Sequence, residues 1–305
     1  LYNQKPICVF DEIQIIDGWE KFIRRLADQD YRVLVTGSNS KMLSKEIATI
    51  LGGRFLLKEI SGLSFREFLT FQNFELIDNY EYKDQRFEIQ RFFESYLLNG
   101  SLPEIINFSN KKDYLSNIFE KIFYGDIIAR YNIKNDFGFR LLVKKLAESA
   151  MDETSFNRLK NTIKSTGISV GTQTLIEYFG YLNDSYLVHS LSNYFSKFVE
   201  RETKKKFYFS DTGILRLFLI DPESSLLETF VHNHLRKKFR GSLFYLRDTF
   251  EVDFYVQDQL LVQVAYSISN EQTRNREING LIKASRKTKA KELLIITMYE
   301  EDHIS

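Results

Sequence analysis

At 305 residues the chain exceeds one ordinary hydrophobic core and suggests two or three domains, and 43% hydrophobic content with only 3 prolines excludes a disordered chain. A net charge of +1 excludes a uniformly basic nucleic-acid binder while leaving room for a local basic patch. A single cysteine, Cys8, excludes an internal disulfide and fits the cytoplasm, and no membrane partner is expected because no apolar run reaches spanning length and no signal peptide is visible.

Ile7-Cys-Val-Phe10 is a continuous apolar run, the pattern of a parallel strand buried on both faces, with Cys8 in the core. It ends in two adjacent carboxylates, Asp11 and Glu12. Trp19, Phe22, Ile23 and Leu26 recur at helical spacing, and a second apolar strand, Val33-Leu-Val35, ends in Thr36-Gly-Ser-Asn39. A polar helix is expected over 41–51, then Gly52-Gly-Arg54 and a third short strand over 55–60. Strands alternating with helices predict a parallel sheet with right-handed crossovers.

In a nucleotide-hydrolysing α/β domain such strand ends carry the chemistry. Asp11 is expected to hold Mg²⁺ through water, and Glu12 to polarise the attacking water. Ser38 or Thr36 would sense the γ-phosphate, and Asn39 would contact nucleotide or only cap the following helix. Arg54 is placed either as a finger reaching a neighbouring subunit's γ-phosphate, in a homo-oligomer, or as an exposed loop arginine. The bland reading of the acid pair is a cap for the next helix. No G-x-x-x-x-G-K-[S/T] loop occurs in the 305 residues, so ATP and Mg²⁺ binding requires a phosphate loop expected upstream of Leu1.

From Ser64 the pattern is helical past Ala150: Phe65, Phe68 and Leu69, then Phe87, Phe92, Phe93, Tyr96 and Leu97, interrupted by Gly100-Ser-Leu-Pro103. Further helices are expected over 114–131 and 139–150. Residues 154–212 read as helix, turn at Thr166-Gly-Ile168, helix over 172–182, then two paired strands around a charged loop with Lys204, Lys205 and Lys206. That is the layout of a winged helix. Thr172, Gln173 and Thr174 could read bases and the lysines could meet phosphate, yet Glu177 is acidic and such modules also dock proteins. Residues 226–297 are mixed: a helix, three strands, a polar helix from about Glu271 to Lys287, and a last strand over 292–297.

Ile-Cys-Val-Phe-Asp-Glu-Ile-Gln14, Val-Leu-Val-Thr-Gly-Ser38, Gly-Gly-Arg54 and Leu63-Ser-Phe-Arg-Glu-Phe68 resemble a bacterial and archaeal group of AAA+-type ATPases. The C-terminal part of that group is DUF4143, resembled here by Tyr181-Leu-Asn-Asp-Ser-Tyr-Leu-Val188, Phe207-Tyr-Phe-Ser-Asp-Thr-Gly-Ile214, Leu227-Glu-Thr-Phe-Val231 and Glu251-Val-Asp-Phe254. The resemblance implies an α/β plus α+β chain. Its parts would be a partial P-loop NTPase sheet over 1–63, a helical lid over 64–150, a winged helix over 151–215 and a PD-(D/E)XK nuclease-like domain over 216–305. It implies a nuclease-like remnant of Glu228, Asp253 and Gln263, with Gln263 where an acid should stand and Ala265 where the lysine should stand. Cleavage is therefore not expected, and the fold would persist as a scaffold or as a nucleic-acid surface through Arg247, Arg274 and Arg276. His232 and His234 diverge on one helix and do not form a metal pair. The expected function is ATP turnover coupled to a DNA or protein partner; the alternative is a non-enzymatic binding scaffold.

Overall fold

The computed structural model describes residues 5–38 and 49–302. β1 (Ile7–Phe10) and β2 (Arg32–Val35) pair in parallel, with Phe10 beside Val35, and α1 (Trp19–Asp28) connects them. Trp19 and Ile23 are buried from α1 with Ile13 and pack against Phe10, Val33, Val35 and Leu51. Among the described residues only that face is covered. Ile7, Val9 and Leu34 lie exposed on the other, which corrects the expectation of a strand buried on both sides. Cys8 shares the Phe10 face and is half-buried, short of the core position expected for it.

The strand expected over 55–60 does not form. Leu56 and Ile60 are exposed, and no ladder partner is present among the described residues, so the apolar run has nothing to pair with. Most of the helix expected over 41–51, and Asn39 with it, lies outside the described residues.

The helical stretch is as its periodicity suggests. α2 (Phe65–Phe71) opens on a reciprocal capping box between Ser64 and Glu67. α3 (Gln85–Asn99) stops at Gly100, whose φ of 84° suits glycine. α4 (Lys111–Glu120) runs into a π-helical segment, Lys121–Ala129, and α5 (Asp136–Glu148) is capped by Asn135.

β3 (Thr154–Ser155), α6 (Phe156–Lys164), α7 (Thr172–Asp184), β4 (Val188–Leu191), α8 (Phe198–Thr203) and β5 (Lys204–Phe209) follow. Their strands form one antiparallel sheet in the order β3-β5-β4. Leu159, Leu175, Leu182, Phe207 and Phe209 share a single core with Phe123, Phe139 and Leu142, so the helical stretch and this unit are packed as one.

After α9 (Thr212–Arg216) and α10 (Glu223–Lys238) comes a four-stranded sheet. β6 (Leu243–Arg247), β7 (Glu251–Val256) and β8 (Leu260–Val264) are antiparallel neighbours. β9 (Glu292–Ile296) returns parallel to β8 after α11 (Glu271–Ser285). Alternation along β7, broken by a register shift against β6 between Val252 and Tyr255, explains the layering. Phe254 and Val256 face a core with Val231 and Leu235 of α10, while Val252 and Tyr255 face one with Leu281 and Ala284 of α11. Among the described residues no helix is long and apolar enough to cross a membrane.

Two joints tie these units together. The buried Asp211 carboxylate accepts from Ser101 N (2.7 Å), Ser101 Oγ (2.8 Å) and Ile214 N (3.0 Å), fastening the turn after α3 to the start of α9. Glu59 accepts from Arg236 Nη1 at 2.8 Å and from Arg240, fixing the segment after β2 to α10.

Candidate functional site

Asp11, Glu12, Thr36 and Ser38 converge at the C-terminal ends of β1 and β2. The parallel register does this: Thr36 N donates to Phe10 O at 2.9 Å, placing each polar tail beside the other. Thr36 Oγ1 donates to Asp11 Oδ1 and accepts from Glu12 N at 3.2 Å. Glu12 is left-handed (φ 48°, ψ 40°), a conformation unusual for a non-glycine residue and often found where function fixes the backbone. Its Oε2 accepts from Ser38 Oγ (3.0 Å), Ser38 N (3.4 Å) and Gln14 Nε2. Both predicted carboxylates thus sit with both predicted hydroxyls. Asp11 and Thr36 are exposed, and Glu12 and Ser38 are half-buried.

Hard oxygen donors at an open strand end suit Mg²⁺, either directly or through water. Arg54 stands apart from them. It is exposed and pairs with Asp28 of α1 at 3.3 Å.

A second constellation lies between β5, α10 and β7. Lys206 is not on a solvated loop as its sequence neighbours suggested; it is the third residue of β5 and is 1% exposed. Strand alternation turns it inward. Its Nζ lies 3.1 Å from Glu251 Oε1, 3.1 Å from Asp253 Oδ1 and 3.7 Å from Glu228 Oε1. Burial pulls its pKa down, but the three carboxylates more than offset this and raise it, so it stays charged. Glu228 is pushed up to about 8 by burial and by Asp253, against the pull of Lys206.

Tyr208 Oη donates to Glu228 at 2.7 Å, and Val264 N donates to the second oxygen of Asp253 at 3.0 Å. Gln263 is beside Asp253 but turned to the backbone, accepting from Asp253 N (2.9 Å) and donating to Glu251 O (3.1 Å). Ala265 is buried and takes no part. Glu228 and Asp253 therefore meet through Lys206, and Gln263 stands beside Asp253. Lys206 and Glu251 were missed, since nothing in the local sequence says that β5 reaches a distant sheet. Among the described residues no group of three or more His, Cys, Asp or Glu side chains is arranged to hold a metal ion.

The arginines named for a nucleic-acid surface are partly committed. Arg276 pairs with Glu277, Arg274 with Asp302, and Arg247 contributes its backbone to Asn193. His232 and His234 diverge. His232 is buried, stacks on Tyr208 at 4.1 Å and lies near His189, and burial pushes both His189 and His232 down to about 3, leaving them neutral.

Residues 1–69 match the AAA domain family, and residues 90–224 match a domain of unknown function, DUF8612. An uncharacterized protein of Methanocaldococcus jannaschii, MJ1544, is 34% identical over 303 residues, covering 96% of this chain and 68% of its own length. An uncharacterized protein of Haemophilus influenzae is 26% identical over 309 residues, with 98% of this chain and 74% of its own length covered. A second M. jannaschii protein, MJ1637, is 27% identical over 231 residues, with 68% and 47% covered.

Proposed function

This chain belongs to the family of the M. jannaschii protein MJ1544, with an AAA-like domain at its N-terminal end, and on that premise we propose that it is part of an AAA+-type ATPase. The observation that carries the reading is the pairing of Asp11 with Thr36 and of Glu12 with Ser38 across two parallel strand ends. Asp11 would hold Mg²⁺, which would supply neutralisation of phosphate charge. Glu12 accepts the proton of the attacking water, and Ser38 and Gln14 fix the direction of its carboxylate. Thr36 keeps Asp11 and the Glu12 amide in register. The described residues offer no phosphate cradle, so a phosphate loop upstream belongs to the proposal.

The finer assignments belong here as well. We read β3–β5 with α6 and α7 as a winged helix and β6–β9 with α10 and α11 as a nuclease-like fold of the DUF4143 kind. ATP turnover would move these modules against a DNA or protein partner. Residues 172–184 of α7 contain no lysine or arginine, and Gln173, Ile176 and Glu177 are exposed, which favours protein over DNA at that helix.

The test is ATP affinity with and without Mg²⁺ in the protein carrying its phosphate loop. Mg²⁺ should tighten binding in the wild type and lose that effect in Asp11→Asn; a wild type indifferent to Mg²⁺ would sink the reading.

A further inference from the structure

We propose that Lys206 is the resident cation of a carboxylate site, standing where a divalent metal ion would otherwise bind and closing the site to metals. This stands apart from the strand-end site and does not depend on it.

Three carboxylates from two elements, Glu228 of α10 and Glu251 and Asp253 of β7, converge on one point. Three such groups would repel one another there without a positive charge between them. Their donor set, oxygen only, is the kind that takes Mg²⁺, Mn²⁺ or Ca²⁺. The outer contacts resemble those around metal ligands. Tyr208 Oη holds one Glu228 oxygen, and the Val264 amide holds the Asp253 oxygen that Lys206 does not touch.

The independent observation is the cation already in place. The ammonium comes from β5, a strand of a different sheet, is 1% exposed, and touches all three carboxylates. Ammonium-to-oxygen distances of 3.1 Å hold the oxygens farther out than a metal's about 2.0–2.6 Å. This accounts for the absence, among the described residues, of an acidic group spaced for a metal. Gln263 cannot complete a metal shell, because its amide is taken by the backbone of residues 251 and 253. The Glu251 side chain is 42% exposed, so an ion has a way in once the ammonium is gone.

The experiment is Mn²⁺ titration at pH 7.5, followed by the electron paramagnetic resonance of free Mn²⁺ and by thermal unfolding. Wild type and Asp253→Asn should take up Mn²⁺ identically. Lys206→Ala should bind one further Mn²⁺, lost again when Asp253→Asn is added, with Tm rising by about 5 °C at saturating metal. Lys206→Ala with Glu228→Gln lowers the repulsion should the single variant fold poorly; with one donor fewer it should still take up one further Mn²⁺, more weakly, and lose it when Asp253→Asn is added. Wild-type Mn²⁺ binding abolished by Asp253→Asn would overturn the proposal. So would Lys206 variants that gain no site, or that stay unfolded with Mn²⁺ present.

Discussion

Glu12 and Lys206 are each placed by one backbone decision. The left-handed turn at Glu12 brings its carboxylate back to Ser38, and strand alternation drives Lys206 into a cluster of acids. The cluster has a pH signature that belongs to Glu228. Its folded-state pKa is raised, so the folded state keeps a proton that the unfolded chain releases. The stability tied to that proton is complete below the unfolded carboxylate range and is lost as pH rises towards about 8. Urea midpoints measured from pH 4.5 to 8.5 should fall with pH in the wild type, and Glu228→Gln should flatten that slope. An unchanged slope in the variant would place the titration elsewhere.

At the scale of elements, close backbone approach decides more than propensity. Gly213 lies in α9, where alanine normally stabilises a helix by about 1 kcal/mol. A Cβ there would stand 2.4 Å from Asn99 O, a backbone atom that cannot swing aside. Overpacking should win, so Gly213→Ala is expected to destabilise by about 1–3 kcal/mol in urea unfolding, and a stabilised variant would contradict the contact.

That joint also marks what the sequence could and could not tell. The helices of 64–150, the paired strands after α7 and the strand ends carrying Asp11 and Thr36 were legible because periodicity and strand-end chemistry are local. The run 55–60 misled because apolar composition says nothing about whether a partner strand is beside it. Lys206 misled for a related reason. The two lysines before it made it look like part of a solvated turn, while its partners lie 22, 45 and 47 positions away.

At the scale of the molecule, the units are clamped to one another. Glu59 is gripped by Arg236 and Arg240, Asp211 by Ser101, and Lys206 by acids of the C-terminal sheet and α10. Phe230 of α10 packs edge-on against Phe93 and Tyr96 of α3. Of these contacts the Lys206 cluster is the buried ion pair, and removing one partner from a fully buried pair costs about 3–5 kcal/mol. The proposed hydrolysis of ATP at the strand-end site is checked by phosphate release from Mg·ATP in the protein carrying its phosphate loop, wild type beside Glu12→Gln. Turnover in the wild type, reduced about a hundredfold or more in Glu12→Gln while ATP still binds, is the predicted result. Equal turnover in both proteins, or none in the wild type, would contradict it.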